Sequence, residues 1–499
     1  MTHDVVIIGG GPNGLLLSCE LALAGIRPLV LERLSERAGM PKANGLVGRV
    51  VQALDQRGLY ERLSGRGGPP AAAPGFQFGA LPLELHRLED NPMFMLPIPQ
   101  RRLEELLEER ALELGAEIRR GHELTGLSQT ADEVTAEVTG PDGGYELTAR
   151  FLVGADGGRS TVRKRLGVGF PGITDRSFTS RQGQVSIDPP VAVPGTGELD
   201  VPGLGRLRTA TFTRTEHGMF AYGMFQPGLY RVSAIEWSSS PLEDSTSMPL
   251  DELRDAVRRV LGADVPMRVP DDADPGLRRS TSTNSRQAER YRQGRVFLIG
   301  DAAHVHSGIG GPGLNLGMQD VLNLGWKLAA EINGWAPEGL LDTYESERRP
   351  VGERVIMHTR AQMALTSPGA GITALRALFG ELLTDPGAIR RVAELMAGAD
   401  VRYGDGHAHP MTGRWMPDLP LNTESGATRV AELLRRARPL LLTRTSGAAK
   451  AWSGRIEEVT TPDAPAEAVL IRPDGYVAWA GEDTDGLEEA LHTWFGAPV

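Results

Sequence analysis

The stretch from Asp4 to Gly14 constrains the fold more than any other part of the sequence. It reads DVVIIGGGPNG, an apolar and β-branched run that leads into glycines at positions 9, 11 and 14. An apolar run without polar interruption is typical of a strand buried on both faces. In G-x-G-x-x-G, Gly9 permits a tight turn, Gly11 lets the backbone approach a pyrophosphate, and Gly14 lets the next helix pack closely.

A helix, a second strand and an acidic residue follow at the spacing of a dinucleotide site. The helical pattern runs from Leu15 to Ala24, and the apolar run 28–31 ends in Glu32, 18 residues after Gly14. The free N–H groups of the helix start would face phosphates, and a carboxylate at Glu32 would accept from ribose hydroxyls. This unit predicts a dinucleotide site rather than a purely structural glycine turn.

Length, charge and cysteine content restrict the class of protein. The 499 residues predict two or three domains, and the net charge of −11, with both signs interspersed, argues against nucleic acid as a partner. No apolar run reaches membrane-spanning length. Cys19 is the only cysteine, so an intramolecular disulfide is impossible, and a buried small residue is its expected role. We expect a cytoplasmic protein without a signal peptide.

Two later strand ends repeat the pattern of the first. The run 151–153 leads into a loop with Asp156 and Gly157, and the run 295–299 leads into the glycine-rich loop 300–315 before a helix over 316–332. Ligands of open α/β sheets bind at such carboxyl ends. The acid and histidines of the second loop, at positions 301, 304 and 306, match no common zinc spacing, so we predict no metal.

Several segments between these loops carry further candidates. Arg49 begins a predicted helix over 48–58, where a cation opposes the helix dipole unless an anion binds nearby; a solvated arginine is the alternative. Gln100 begins a strongly periodic helix and is either a ligand donor or a simple cap. Residues 335–397 are predicted to be mostly helical, with breaks at Pro350 and Pro368.

Residues 171–280 have a different character, rich in proline, glycine and strand-like segments. They predict an antiparallel sheet in a separate layer, one face of which would line an apolar substrate pocket. Core packing between layers is the alternative for each aromatic side chain. The candidate wall residues are Met219, Phe220, Tyr222, Met224 and Phe225.

From about residue 400 the chain starts a small α/β unit. Its predicted elements are a helix over 430–437, a strand over 440–443, a hairpin of 468–472 and 476–480 turning at Asp474-Gly475, and a final helix.

The order and spacing of the three loops resemble the single-component flavoprotein aromatic hydroxylases, the para-hydroxybenzoate hydroxylase family. The resemblance covers about residues 3–360, and the stretch 470–479, LIRPDGYVAW, is similar to the thioredoxin-like C-terminal domain of the phenol hydroxylase branch. Within that branch the chain most resembles bacterial aromatic polyketide hydroxylases and rifampicin monooxygenase.

This resemblance implies an α/β fold with an α+β middle layer. A Rossmann-like FAD-binding domain would comprise 1–75, 100–170 and 281–397, interleaved with an antiparallel substrate-binding domain of 76–99 and 171–280. Residues 400–499 would form the thioredoxin-like domain, without redox cysteines.

The resemblance also implies a chemistry. Noncovalent FAD, reduced transiently by NADPH or NADH, would react with O₂ to form a C4a-hydroperoxide that hydroxylates a bulky, polyketide-like aromatic substrate. Baeyer–Villiger oxygenation by the same flavin, and a non-catalytic FAD protein that sequesters an aromatic ligand, are the alternatives. The expected partner is a small molecule, and the expected state is a monomer or homodimer without nucleic acid or membrane. A role in antibiotic biosynthesis and one in drug inactivation are both open.

The family positions assign cofactor contacts residue by residue, whereas no catalytic base can be named. The loop from Gly311 to Asn315 would lie against the isoalloxazine ring. Pro312 replaces the family's usual glutamine and removes one backbone donor, and it is also a candidate for substrate contact. Lys42 stands where an arginine is frequent and loses the bidentate fork. The full set of implied cofactor contacts is Gly9, Gly11, Pro12, Asn13, Gly14, Glu32, Arg33, Lys42, Arg49, Gln100, Asp156, Gly157, Asp301, Gly311, Gly313, Leu314 and Asn315.

Overall fold

A parallel sheet carries the N-terminal glycine motif. The computed structural model describes residues 2–37, 43–226, 228–237, 243–245, 247–271, 274–404 and 409–498. In this sheet, called the main sheet below, the first strand lies between two parallel neighbours, and the strand order across the sheet is Arg292–Gln293, Val296–Leu298, Gly143–Gly154, Thr2–Ile8, Leu29–Glu32 and Glu117–Arg120. Two more strands, Glu123–Gln129 and Val134–Gly140, extend it antiparallel beyond the start of Gly143–Gly154.

Helices cover the main sheet and bury its apolar strands. Pro12–Leu23 packs against both Pro312–Ile332 and Gln100–Glu113. Cys19, on the first of these helices, is buried, and its thiol donates to the Leu107 carbonyl at 3.5 Å. Burial raises the pKa of this thiol to about 12, so it is an unreactive core residue.

The predicted antiparallel layer is present as a five-stranded sheet, called the middle sheet below. Its order is Phe212–Thr215, Gly218–Gln226, Leu229–Trp237, Phe178–Ser186 and Arg278–Ser280. The helix Leu250–Leu261 packs against one face through its apolar stripe. The other face is therefore the one available to a ligand.

The C-terminal unit has the predicted thioredoxin-like elements. Its sheet order is Glu457–Thr460, Leu440–Thr443, Ala468–Ile471 and Val477–Gly481, flanked by the helices Val430–Leu433 and Leu487–Phe495. Buried charges join it to the preceding part of the chain: Arg472 Nη1 donates to Glu347 Oε1 at 2.7 Å, and Arg57 Nη2 donates to the Pro473 carbonyl at 2.7 Å.

The remaining elements are short strands and a helical layer. Pro350 lies inside a continuous helix, so the predicted break there is wrong; burial of Tyr344, Arg348 and His358 along the same helix outweighs a proline's cost of about 3 kcal/mol. In the described ranges, no helix has the length and apolar character that a bilayer span demands. The other strands are Gly45–Val47, Phe76–Phe78, Leu81–Leu83, Met95–Pro97, Gly172–Asp175, Leu199–Val201, Gly205–Leu207, Thr283–Gln287, His304–Val305, Pro420–Thr423 and Gly426–Arg429; the other α-helices are Arg49–Asp55, Tyr60–Ser64, Thr161–Arg165, Thr343–Thr366, Ala370–Leu382 and Pro386–Ala397.

Candidate functional site

The three predicted loops meet at one edge of the main sheet. Ala155 N–H donates to the Ile8 carbonyl at 2.8 Å, and Ile299 N–H donates to the Gly154 carbonyl at 3.0 Å. These bonds join the carboxyl ends of three adjacent parallel strands. The loops that follow the strands therefore form one continuous surface, as ligand binding in an open α/β sheet requires.

The glycines of the first motif have separable roles. Gly9 has φ +114°, and a Cβ there would lie 2.4 Å from the Ala155 carbonyl oxygen. A Cβ on Gly14 would lie 2.0 Å from the Gly9 carbonyl oxygen. The fold itself thus requires both residues to be glycine. A Cβ on Gly11 would meet no described atom within 4 Å, so Gly11 leaves open space at the helix start, where a phosphate would bind.

Glu32 holds the glycine turn in place. Its Oε2 accepts from Gly10 N–H at 2.7 Å, and its Oε1 accepts from Leu34 N–H at 2.9 Å. Each carboxylate oxygen keeps a further lone pair, so the predicted ribose contact is compatible with these bonds. Arg33 is exposed beside this turn.

Asn13 and Asp156 each present an unsatisfied buried oxygen at the loops. Asp156 Oδ2 caps the helix Thr161–Arg165 by accepting from Thr161 N–H at 2.6 Å, whereas its Oδ1 is buried without a partner. Asn13 Oδ1 is likewise buried without a partner. Burial raises the pKa of Asp156. Orphaned acceptors cost free energy unless a donor reaches them, and the hydroxyl groups of a bound cofactor are suitable donors. Gly157, with φ +80°, makes the turn that follows Asp156.

Arg49 is a nearly buried cation at the start of the helix Arg49–Asp55. Its Nη1 donates to Gln52 Oε1 at 2.7 Å, its Nε is buried without a partner, and no ion pair joins it to a carboxylate of the described residues. Burial lowers its pKa. A guanidinium in this position favours a bound anion over the alternative of a solvated arginine.

Gln100, Asp301 and Lys42 complete the predicted cofactor contacts outside the glycine loops. Gln100 Oε1 accepts from Ala43 N–H at 3.1 Å, and its amide donates to Glu104 Oε1 at 2.8 Å, so it fixes the chain at Ala43 rather than capping its own helix. Asp301 is exposed in its loop. Lys42 lies outside the described residues.

The loop Gly311–Asn315 is a rigid turn that becomes the first turn of a helix. Gly311 has φ +71°, and Pro312 is the first residue of the helix, where its missing N–H breaks no helical bond. Asn315 uses its amide for structure: Nδ2 donates to the Gly311 carbonyl at 2.6 Å, and Oδ1 accepts from Val47 N–H at 2.8 Å. The backbone N–H groups of Gly313 and Leu314 remain at the open helix start.

A buried charge cluster behind this loop was not predicted from the sequence. Asp320 Oδ1 accepts from Arg348 Nε at 2.8 Å, its Oδ2 lies 2.7 Å from His304 Nε2, and the same oxygen accepts from Gly300 N–H at 3.2 Å. Arg348 and His304 hold the pKa of Asp320 low although burial acts to raise it. An aspartate on an otherwise apolar helical stretch was the available signal.

His358 is a buried neutral histidine near the same loop, and it gives a prediction for acid stability. Burial lowers its pKa from 6.5 to about 4. The unfolded chain therefore binds a proton before the folded chain does, so stability is complete above about pH 6.5 and falls as the pH drops toward 4. The loss from this group is at most about 3 kcal/mol, at 1.36 kcal/mol per pKa unit.

The expected result is a shallower dependence of the urea midpoint on pH between 6.5 and 4 in His358→Gln. The matched control is His217→Gln, which changes an exposed histidine. An unchanged slope in His358→Gln would contradict the assignment.

One face of the middle sheet lies toward the glycine-rich loop 300–315, and the other packs against the helix Leu250–Leu261. The side that carries Phe178, Ile235 and Trp237 is called the open face. These side chains cluster with Met363 and with Ile309 of the glycine-rich loop. Met219 lies on this side, opposite Ile235 in the register. The open face therefore continues the surface formed by the loops.

Three predicted wall residues need correction. Phe220, Tyr222 and Met224 alternate onto the other side, where they pack with the helix Leu250–Leu261. Tyr222 OH donates to the Leu207 carbonyl at 2.6 Å. These three are core residues, the alternative that the sequence left open. Pro312 is buried at the helix start, and the side chain of Phe225 lies outside the described residues.

The residues present fit FAD. Two orphaned oxygens and the open space at Gly11 lie at the sheet edge where the loops meet. Arg49, whose Nε is buried without a partner among the described residues, follows two residues after Val47, which bonds to Asn315 of the third loop. The sequence matches the family model of an FAD binding domain over residues 2–359 and that of the aromatic-ring hydroxylase C-terminal region over residues 409–498. The chain belongs to the FAD-dependent aromatic-ring hydroxylases.

Full-length relatives agree with this family. The 12-dehydrotetracycline 5-monooxygenase/anhydrotetracycline 6-monooxygenase of Streptomyces rimosus is 43% identical, with 100% of both chains covered. The rifampicin monooxygenase of Streptomyces venezuelae is 42% identical, with 99% of both covered. The solved structure of OxyS anhydrotetracycline hydroxylase from Streptomyces rimosus superposes with a TM-score of 0.87 at 42% identity, covering 100% of both chains.

These findings confirm the predicted family, the predicted fold class and the prediction of an FAD-dependent aromatic monooxygenase. The individual contacts predicted between this hydroxylase and its cofactor stay predictions, as do the domain boundaries.

Proposed function

We propose that this hydroxylase inserts one oxygen atom from O₂ into a planar, polycyclic aromatic compound of the polyketide class, with NADPH or NADH as reductant. The main support is the contact of Phe178 and Trp237, on the open face of the middle sheet, with Ile309 of the cofactor loop. This contact forms an apolar wall beside that loop. The substrates in the names of the tetracycline and rifampicin relatives support the substrate class. Bound FAD supplies the electron transfer and the activation of O₂.

The protein's own contribution is placement and exclusion of water. N–H groups at the start of the helix Pro312–Ile332 would face negative charge on the reduced ring without reorganisation. Asn315 fixes the turn that presents them. Phe178, Trp237 and Met363 form an apolar wall on the substrate side, which keeps reactive oxygen species away from bulk water.

The test is turnover of the purified holoenzyme with anhydrotetracycline and labelled O₂. We expect release of FAD on denaturation, substrate-stimulated NAD(P)H oxidation and a product that carries one labelled oxygen atom. Parallel assays with NADPH and NADH identify the reductant. A ring-expanded lactone would indicate Baeyer–Villiger chemistry. Binding of aromatic ligands without any stimulated oxidation would instead support a sequestering FAD protein and contradict the proposal.

Gly313→Val tests the position of the cofactor loop. A Cβ at Gly313 would lie 3.5 Å from His306 Cε1, an ordinary contact, so the first methyl group is tolerated by the fold. The bulk of valine at the open helix start is expected to hold the flavin ring away from the N–H groups. We expect a lower flavin reduction potential and more uncoupled peroxide release, with FAD still bound.

The measurements for Gly313→Val are a redox titration and a peroxide assay beside the parent enzyme. Gly380→Val, at an open position on the helix Ala370–Leu382, is the control, because no described atom lies within 4 Å of its Cβ position. Parental potential and coupling in Gly313→Val would place the flavin ring elsewhere.

A further inference from the structure

The centre of the open face is a floor of small side chains. Ala221 lies opposite Ser233, and Ser180 lies opposite Ile235, so these side chains share one side of the sheet. Gly223, opposite Arg231, adds no side chain at all. All of these floor positions are only half-buried, whereas the residues that alternate with them are buried against the helix Leu250–Leu261. The floor has the shape that a flat ring system requires.

The two ends of this floor differ in chemistry. At one end, Phe178 and Trp237 pack together with a ring separation of 6.1 Å beside the cofactor loop. At the other end, Arg231 Nη2 donates to Gln182 Oε1 at 3.2 Å, and Gln182 lies opposite Arg278 in the register. Four residues separate Ile235 from Arg231 on one strand, which corresponds to about 13 Å at about 3.3 Å per residue. That length matches several fused rings.

Arg278 is a partly buried arginine that has no counter-charge among the described residues. Its Nε is buried and makes no hydrogen bond, and no carboxylate within the described ranges forms an ion pair with it. Burial lowers the pKa of Arg278, and both burial and the nearby Arg278 lower the pKa of Arg231. The arginines on the opposite side of the sheet are paired, since Arg279 Nη1 donates to both oxygens of Glu252 at 2.7 Å. Among the described residues, the missing counter-charge is therefore a feature of Arg278 on the open face.

We propose that Arg278, with Arg231 beside it, binds an acidic oxygen group on the substrate, either a carboxylate or the enolate of a β-dicarbonyl. The planar guanidinium fork matches two such oxygens, and a partly desolvated site strengthens the charge-assisted bonds. Arg278 is in register with Gln182 and Ser233, two residues from Ile235 along the strands and two strands across the sheet. The acidic group would therefore lie roughly 12 Å from the apolar end, so oxygen insertion falls on the ring remote from it. This inference rests on the proposed function and specifies its substrate class.

The test compares two probes that differ only in charge, 2-anthroate and anthracene-2-carboxamide, in fluorescence titrations of the holoenzyme. We expect the parent to bind the carboxylate about tenfold more tightly than the amide, the effect of one charge-assisted hydrogen bond. Arg278→Gln should bring the two affinities within about twofold by weakening only the carboxylate. Arg206→Gln, a change of an exposed arginine paired with Glu198, should keep the parental preference.

Two outcomes overturn the inference: equal affinity of the parent for both probes, or an unchanged preference in Arg278→Gln. If Arg278→Gln does not fold, the parent is titrated at low and high sodium chloride. Salt should then weaken binding of the carboxylate and not of the amide, and an equal response of both probes contradicts the site.

The binding preference and the turnover are separate measurements. A preference for the carboxylate without stimulated NAD(P)H oxidation contradicts the proposed function and leaves the anion site standing. Turnover of a neutral polycycle without any preference contradicts the anion site alone.

Discussion

Gly11→Ala is expected to fold as the parent does and to lose FAD. The backbone at Gly11, with φ −79° and ψ −177°, is ordinary for any residue, and the added methyl group meets no described atom within 4 Å. Since no described residue would collide with this methyl group, a bound ligand is the expected obstacle. Overpacking costs about 1–3 kcal/mol, so FAD affinity should fall by up to about a hundredfold. The unfolding free energy of the apoprotein should change by no more than about 1 kcal/mol, the cost of losing a glycine N-cap.

The measurements for Gly11→Ala are the FAD dissociation constant, from flavin fluorescence, and urea unfolding of the apoprotein. Gly371→Ala, also at an open glycine, should leave FAD affinity unchanged. Gly14→Ala should lose both cofactor and stability, because its methyl group would lie 2.0 Å from a carbonyl oxygen of the protein itself. Parental FAD affinity in Gly11→Ala would show that the cofactor does not pass over this residue.

Asp320→Ala is expected to cause a large loss of stability. The side chains of Asp320 and Arg348 are both fully buried, and their bond measures 2.8 Å. Removing the carboxylate leaves a buried guanidinium without its counter-charge, which costs about 3–5 kcal/mol. The change also removes the partner of the His304 ring and of the Gly300 N–H group. Both residues lie on the loop that follows the third strand end.

Urea unfolding measures this loss, with Asp255→Ala as the control. Asp255 pairs with Arg258 at 3.3 Å on the exposed side of a helix, so its removal should cost no more than about 1 kcal/mol. A loss below about 1 kcal/mol in Asp320→Ala would mean that water or another group compensates Arg348.

The sequence alone determined the parts of this protein that local rules control. An apolar strand, a turn that needs glycine and an amphipathic helix depend on neighbours within about ten residues. The strand–loop–helix units at Gly9, Asp156 and Gly300 were therefore predictable, as were the Asp474-Gly475 hairpin and the helix that begins at Gln100. Their order along the chain also allowed the family to be named.

Other features depend on partners that are distant in the chain. Residues 117–129 carried no clear strand pattern, yet they form two strands because neighbouring strands of the main sheet offer them an edge. The strand Glu457–Thr460 likewise gains its place by pairing in parallel with Leu440–Thr443. Pro350 remains helical because packing on both sides of it outweighs a local preference.

The candidate site likewise has a part that local sequence predicts and a part that depends on distant partners. The glycines and acids of the cofactor loops could be read from spacing, whereas the substrate side could not. The strand Gly218–Gln226 is apolar on both faces, so alternation alone cannot show which face meets a helix; only the register with its neighbours and the helix Leu250–Leu261 decide that Phe220 is core. Asp320 and Arg348 come from different helices, and the unpaired state of Arg278 is a property of everything around it. Burial and pairing of charges are set by the whole tertiary structure, because each depends on which distant segments exclude water and which supply the counter-charge.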